Sequence, residues 1–157
     1  MCKRLLLFPA FALILLNCSG TKSEDIASTH GKLAPCPDSP NCVSSQSTDE
    51  SHHVEPLRYD GSFHEAQERL LSLLRSMDRV KIVTVESDYI HAEFISAFLH
   101  FVDDVEFCFD HEKKTIHVRS ASRVGYYDLG VNRRRVERIR SRFLEHTRGV
   151  HRKIDAR

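Results

Sequence analysis

The sequence predicts a two-layer α+β domain, an antiparallel sheet of four to five strands with two helices on one face. Three observations lead there. Phe63, Ala66, Leu70, Leu73, Leu74 and Met77 recur at helical spacing behind a Ser62-Phe63-His64-Glu65 capping box. Two pairs of alternating segments follow, each joined by a short polar turn in the manner of a β-hairpin. Val136, Ile139, Phe143 and Leu144 then make a second helical stripe. Hairpins grouped between two helices favour helices on one side of an antiparallel sheet, and 157 residues leave room for one core.

Residues 1–17 have the parts of an export signal. Lys3 and Arg4 precede an apolar run from Leu5 to Leu16, too short to cross a bilayer as a stable helix. The ending Leu15-Leu16-Asn17-Cys18 resembles the lipobox of bacterial lipoproteins, with Cys18 lipidated and becoming the mature N-terminus, although Asn17 stands where a small residue is usual. Plain secretion and an uncleaved anchor are the alternatives. The expectation is a lipoprotein of the cell envelope, anchored in a bacterial membrane and facing the periplasm or the exterior. Ser19 favours the outer membrane. Residues 18–32 are polar, without periodicity, and read as a flexible tether.

The domain is expected over residues 33–148. Three prolines between Leu33 and Gln46 discourage helix and central strand. Cys36 and Cys42 are close enough to pair in an oxidising compartment; a metal would need further ligands such as His52 or His53, and five intervening residues match no common zinc spacing. His53 to Leu57 reads as an edge strand, since Pro56 cannot donate to a ladder. Val80 to Val85 and Tyr89 to Ile95 form the first hairpin around Glu86-Ser87-Asp88. Ile90, Ala92 and Phe94 take the core side, leaving His91 and Glu93 on the other face as a polar surface pair or as two members of a site.

Ser96 to Phe101 is apolar for a loop and is expected to fold over the sheet edge; exposed, it would mark a partner or membrane surface. Asp103 and Asp104 form a turn before Val105, Phe107 and Phe109, which point inward, and Cys108 reads as a packed thiol. The second hairpin turns at His111 to Lys114 into Thr115 to Ser120. The last helix takes Asn132 as N-cap, Val131 and Val136 as a staple and Gly149 as its stop, leaving 149–157 as a basic tail.

Net charge of +1 hides an asymmetry. Lys113 to Arg157 holds 14 basic and 4 acidic residues; Ser19 to Glu112 holds 7 basic and 18 acidic. The two parts can neutralise one another within one fold, or the basic part can face anionic lipid or another polyanion. Nucleic acid is not expected outside the cytoplasm, and no aromatic interleaving supports it. Arg133, Arg134 and Arg135 open a helix, where cations oppose the macrodipole by about 0.3 to 1 kcal/mol each. A negative partner is required, either carboxylates of the chain or an anionic ligand.

Several stretches together resemble the domain of unknown function family 1499, found in bacteria and plastid-containing eukaryotes. They are Leu33 to Gln46, Tyr89 to Glu93, Phe101 to Phe107 and Arg119 to Val136, so that the resemblance covers roughly Leu33 to Phe143. The family has no established activity, and the resemblance implies membership without a mechanism.

The second hairpin should bring the Gly125 to Gly130 loop beside Asp103 and Asp104. Asp103, Asp104, Arg119, Arg123, Tyr126, Asp128, Asn132 and Arg133 are therefore expected in one polar cluster. Two readings follow. In the first the chain is a non-enzymatic binding or structural module whose cluster holds an anionic lipid headgroup or envelope polymer. The other is a hydrolase with an aspartate base and arginines stabilising negative charge. No serine or cysteine triad, phosphate-binding glycine loop or zinc motif is present, and no cofactor is implied.

Overall fold

Residues 31–154 are described by the computed structural model. The signal segment 1–17, Cys18, the tether as far as residue 30 and the last three residues of the basic tail lie outside the described residues. The elements are β1 (Cys42–Ser44), β2 (Leu57–Arg58), α1 (Phe63–Arg75), β3 (Val80–Val85), β4 (Tyr89–Ile95), β5 (Val102–Asp110), β6 (Thr115–Ser122) and α2 (Val131–Ile154). All ladder pairs are antiparallel, in the order β1-β6-β5-β4-β3, with β2 also on β6.

The fold class is as the sequence predicts, with one strand more than the upper expectation. The free edge of β6 is shared by two short pieces. β1 pairs with Arg119 to Ala121, and β2 pairs with Thr115 and Ile116. Prolines do not prevent β1, because it begins after Pro40, and Cys42 is bonded to Cys36 at its first residue. The expected edge strand starts later, at Leu57, beyond Pro56.

α1 forms as its sequence requires. Ser62 Oγ accepts from the Glu65 amide at 3.3 Å, and Glu65 Oε2 accepts from the Ser62 amide at 3.0 Å. Its buried side chains, Ala66, Leu70, Leu71, Leu73 and Leu74, meet Val136, Ile139 and Phe143 of α2 and the inner face of the sheet, built on Ile90, Ala92, Val105, Phe107, Ile116 and Val118. One apolar core thus lies between the sheet and the helix layer.

α2 differs from expectation in three places. It begins at Val131, so Asn132 lies within the first turn rather than capping it. It continues through Gly149 to Ile154; a lone helical glycine costs about 1 kcal/mol against alanine, which does not by itself end a helix. Leu144 is exposed, so the buried stripe is Val136, Ile139 and Phe143.

Candidate functional site

Asp103 and Asp104 both lie in β5, not in a turn, and strand geometry sends adjacent side chains to opposite faces. The single expected cluster is therefore two clusters, separated by the sheet.

On the helix side Asp103 accepts from Arg135, which also lies over the Phe94 ring at 5.0 Å and donates to Ser120 Oγ at 3.0 Å. Asn132, fully buried, is the hub of this side. Its Nδ2 donates to the Asn41 carbonyl at 2.8 Å and to Ser122 Oγ and Asp128 Oδ2 at 2.9 Å each, while its Oδ1 accepts from Ser120 Oγ at 2.6 Å. Asp128 supplies the negative charge that the helix start requires. Its carboxylate accepts from the Gly130 and Asn132 amides, both at 2.8 Å. Leu129 and Gly130 turn the chain into the helix with φ of 56° and 73°.

On the outer face the expected surface pair His91 and Glu93 belongs to a largely buried ionic network. His91 Nε2 meets Asp104 Oδ1 at 2.7 Å, and Arg123 holds Asp104 through Nε at 2.8 Å and Nη2 at 2.7 Å. Arg123 Nη2 also reaches Glu93 at 2.6 Å, and Lys81 meets Glu93 at 3.3 Å. Burial pushes the Asp104 carboxyl up, but the hydrogen bonds from His91 and Arg123 outweigh it and leave the group at about 2. Glu93 is likewise raised by burial and lowered further by Arg123 and Lys81, ending below its usual range.

Beside this network Glu106, fully buried, accepts from Tyr89 Oη and Arg119 Nη1, both at 2.8 Å. Burial, then the Glu106 charge, drives the Tyr89 phenol well above its ordinary value. Leu33 closes over Tyr89 and Cys108 as a small second apolar cluster.

Arg133 joins neither group. It donates to the His53 carbonyl at 2.5 Å and the Ser51 carbonyl at 2.7 Å, clamping the 51–53 turn against α2. Tyr126 is exposed. Of the sequence-predicted residues, Asp104 and Arg123 meet directly, as do Asp128 and Asn132. Asp103 turns to Arg135, and Arg119 to Glu106. All three expected arginines are thereby held by groups of the chain itself.

A third region combines charge with access. Arg79, Arg134, Arg135, Arg138 and Arg142 line an open cleft of about 470 Å³ with Asp78, Asp103 and Phe94. Arg134, Arg138 and Arg142 are exposed and recur every fourth residue along α2, a spacing that stacks like charges at a cost of about 0.2 to 0.5 kcal/mol per pair. Arg134 donates to the Leu129 carbonyl at 2.8 Å. Among the described residues, no carboxylate lies within ion-pair distance of Arg79, Arg138 or Arg142.

A groove of about 530 Å³ adjoins the cleft and shares Ser96, Asp103 and Val131 with it; Leu99, Phe101, Val124 and Tyr127 line it. The 96–101 loop does not fold over the sheet edge as expected: Phe98 is 91% exposed, and Leu99 and Phe101 are exposed too. A larger depression, about 690 Å³, lies between the disulfide loop and residues 46–52, where His52 Nδ1 is bonded to the Cys42 carbonyl at 2.8 Å. It gathers no cluster of charge. No group of three metal-ligating side chains occurs among the described residues, and no helix there is long and apolar enough to cross a membrane.

A family model described as "Protein of unknown function (DUF1499)" matches residues 32–143. The chain belongs to this family. The DUF1499 region contains all six strands, α1, the three buried apolar side chains of α2 and every arginine of the cleft. No curated protein and no solved structure matches the chain.

Within the DUF1499 region, sequence reasoning missed Tyr89, Glu106 and Arg135 as partners, and read His91 and Glu93 as surface. A signal existed for Glu106: pairing the second hairpin through its turn sets it directly opposite Arg119. Arg79 carried none, because only the fold brings the end of α1 beside α2.

Proposed function

We propose that this chain is a non-enzymatic binding module of the bacterial cell envelope, tethered through a lipidated Cys18, and that the arginine cleft on α2 receives an anionic group. A lipid headgroup and an envelope polymer share that chemistry. The observation that supports this reading is the contrast between two sets of arginines. Arg119, Arg123 and Arg135 are consumed by carboxylates in and around the sheet, whereas Arg79, Arg138 and Arg142 line an open cleft and have no carboxylate within ion-pair distance among the described residues. Five guanidinium groups against Asp78 and Asp103 leave the cleft with an excess of positive charge, and planar guanidinium groups suit bidentate contact with phosphate or carboxylate.

The hydrolase reading gains no such support. Asp103 and Asp104 are each engaged by an arginine, Asp103 by Arg135 and Asp104 by Arg123, in the manner of structural ion pairs.

The test is thermal unfolding of the protein with increasing inorganic phosphate, glycerophosphate and an anionic polysaccharide. A saturable rise in melting temperature is expected, about 2.7 kcal/mol of stabilisation at a hundred times the dissociation constant. Arg138→Ala with Arg142→Ala should remove the rise while leaving the ligand-free melting temperature nearly unchanged, since both side chains are exposed. An undiminished rise in the double variant would refute the assignment to the cleft.

A further inference from the structure

The end of the domain that carries the arginine cleft also carries its most exposed apolar side chains. Phe98, Leu99 and Phe101 stand on the connection between β4 and β5; Tyr126, Tyr127 and Leu129 stand on the connection between β6 and α2. The two connections are joined at their bases, where the Arg123 amide donates to the Val102 carbonyl at 3.2 Å, and the groove between them is lined from both sides. The groove opens next to the cleft at Ser96, Asp103 and Val131. A soluble anion would need the guanidinium groups and nothing else. Aromatic and leucyl side chains grouped in water on two adjoining loops mark a surface that is covered in use.

We propose that this end of the domain docks on a bilayer surface containing anionic phospholipid, with the loop aromatics at headgroup level and Arg79, Arg138 and Arg142 against the phosphates. This rests on the anion-binding reading of the cleft and names its occupant. Charge complementarity selects the leaflet: the cleft sets five arginines against two carboxylates, and cations near an anionic leaflet partition toward it. The apolar set selects a bilayer over a protein. Phenylalanine, tyrosine and leucine beside arginine is the composition that sits at the boundary between headgroups and acyl chains, where tyrosine keeps its hydroxyl in water and arginine extends its guanidinium to phosphate.

The backbone supports presentation of this surface. Arg79, His100 and Leu129, three of the four non-glycine residues with positive φ among the described residues, lie at this end. The tether is also long enough. Fourteen residues separate Cys18 from Leu33, and a chain of that length reaches at most roughly 45 to 50 Å. Leu33 sits on Tyr89, at the opposite end of β4 from the docking loops, a separation of about 20 Å along a seven-residue strand.

The chain contains no tryptophan, which permits a direct measurement. Phe98→Trp places a single indole at the proposed contact, and Ser87→Trp places one in the β3–β4 turn as a reference. Each variant, as the chain from position 18 with Cys18→Ser so that no lipid anchor can hold it to the vesicles, is mixed with vesicles of phosphatidylcholine alone, or of two parts phosphatidylcholine to one part phosphatidylglycerol, carrying brominated acyl chains. The expected result is a blue shift and quenching of the indole at 98 in the anionic vesicles only, with the reference indole unquenched in both. One arginine near such a surface contributes about 1 kcal/mol, a factor of about five in partitioning. Adding Arg138→Ala and Arg142→Ala should therefore weaken the quenching titration about 25-fold.

Equal quenching in neutral vesicles, or of the reference indole, would overturn the proposal. So would an unquenched indole at 98 in a protein that still gains stability from inorganic phosphate; the cleft would then hold an anion without a bilayer, and the anion-binding reading would survive. Capture of polyglutamate without quenching would make the occupant an acidic polypeptide, also against the proposal. Failure of every anion, soluble or in vesicles, would remove both readings.

Discussion

Replacing Arg119 with methionine is the sharpest test of how the outer face of the sheet is held. Glu106 is fully buried, and its carboxylate is satisfied by Tyr89 and Arg119 at 2.8 Å each. Arg119→Met preserves most of the side-chain volume but strips the only ion-pair partner that Glu106 has among the described residues. Breaking a buried ion pair from one side costs about 3 to 5 kcal/mol, because the remaining charge is left without compensation. Against a total stability of about 5 to 15 kcal/mol for a domain, that is a large fraction. The melting temperature should fall by roughly 10 to 20 °C. Adding Glu106→Gln removes the stranded charge and keeps an acceptor for the Tyr89 hydroxyl. The buried Arg119 guanidinium, whose Nε has no hydrogen-bond partner among the described residues, is already absent from the single variant. The double variant should therefore recover at least about 2 kcal/mol of the loss. Urea unfolding followed by circular dichroism measures both quantities. A single variant costing under about 1 kcal/mol, or a double variant no more stable than the sum of the two singles, would refute the reasoning.

Three further outcomes follow from the same architecture. Because the Asp104 carboxyl is depressed from 3.8 to about 2 in the folded protein, it contributes about 2 kcal/mol that is present above pH 4 and lost as pH falls toward 2; stability against pH for the wild type and Asp104→Asn should converge over that window. Reducing the Cys36–Cys42 bridge, which closes a short loop, should cost about 2 kcal/mol, read as a lower urea midpoint in reductant than in its absence. Ser62→Ala should destabilise by about 1 kcal/mol through loss of the α1 cap, and Ser62→Thr should retain most of that, again by urea midpoint.

The local parts of the fold were readable in the sequence because their causes are local. The Ser62 and Glu65 cap, the turns at Glu86 to Asp88 and at His111 to Lys114, and the inward alternation of Val105, Phe107 and Phe109 each depend on neighbours within a few residues. The outer face was misread because polarity stood in for exposure. His91, Asp104 and Glu106 look like solvent positions in an alternating strand, yet all three are buried, since each finds an opposite charge or a donor across the ladder. Exposure of Phe98 was misread for the converse reason: apolar character stood in for burial. Asn132 fits the composition of a cap, but the backbone amide it would serve is replaced by a more distant set of partners, Asn41 and Ser122, that only the folded chain assembles.

The separation of Asp103 from Asp104 also constrains how sequences of this family can diverge. The two neighbours report to different partners, Asp103 to Arg135 and Asp104 to Arg123, so a one-residue deletion within β5 would exchange the two and break both. Length variation should then be confined to the connections at 96–101 and 111–114, and substitutions should travel in couples: 103 with 135, 104 with 123, 106 with 119. An alignment that kept the Asp-Asp pair while losing only one of the two arginines would mark a member in which one layer has been rebuilt and the other left standing.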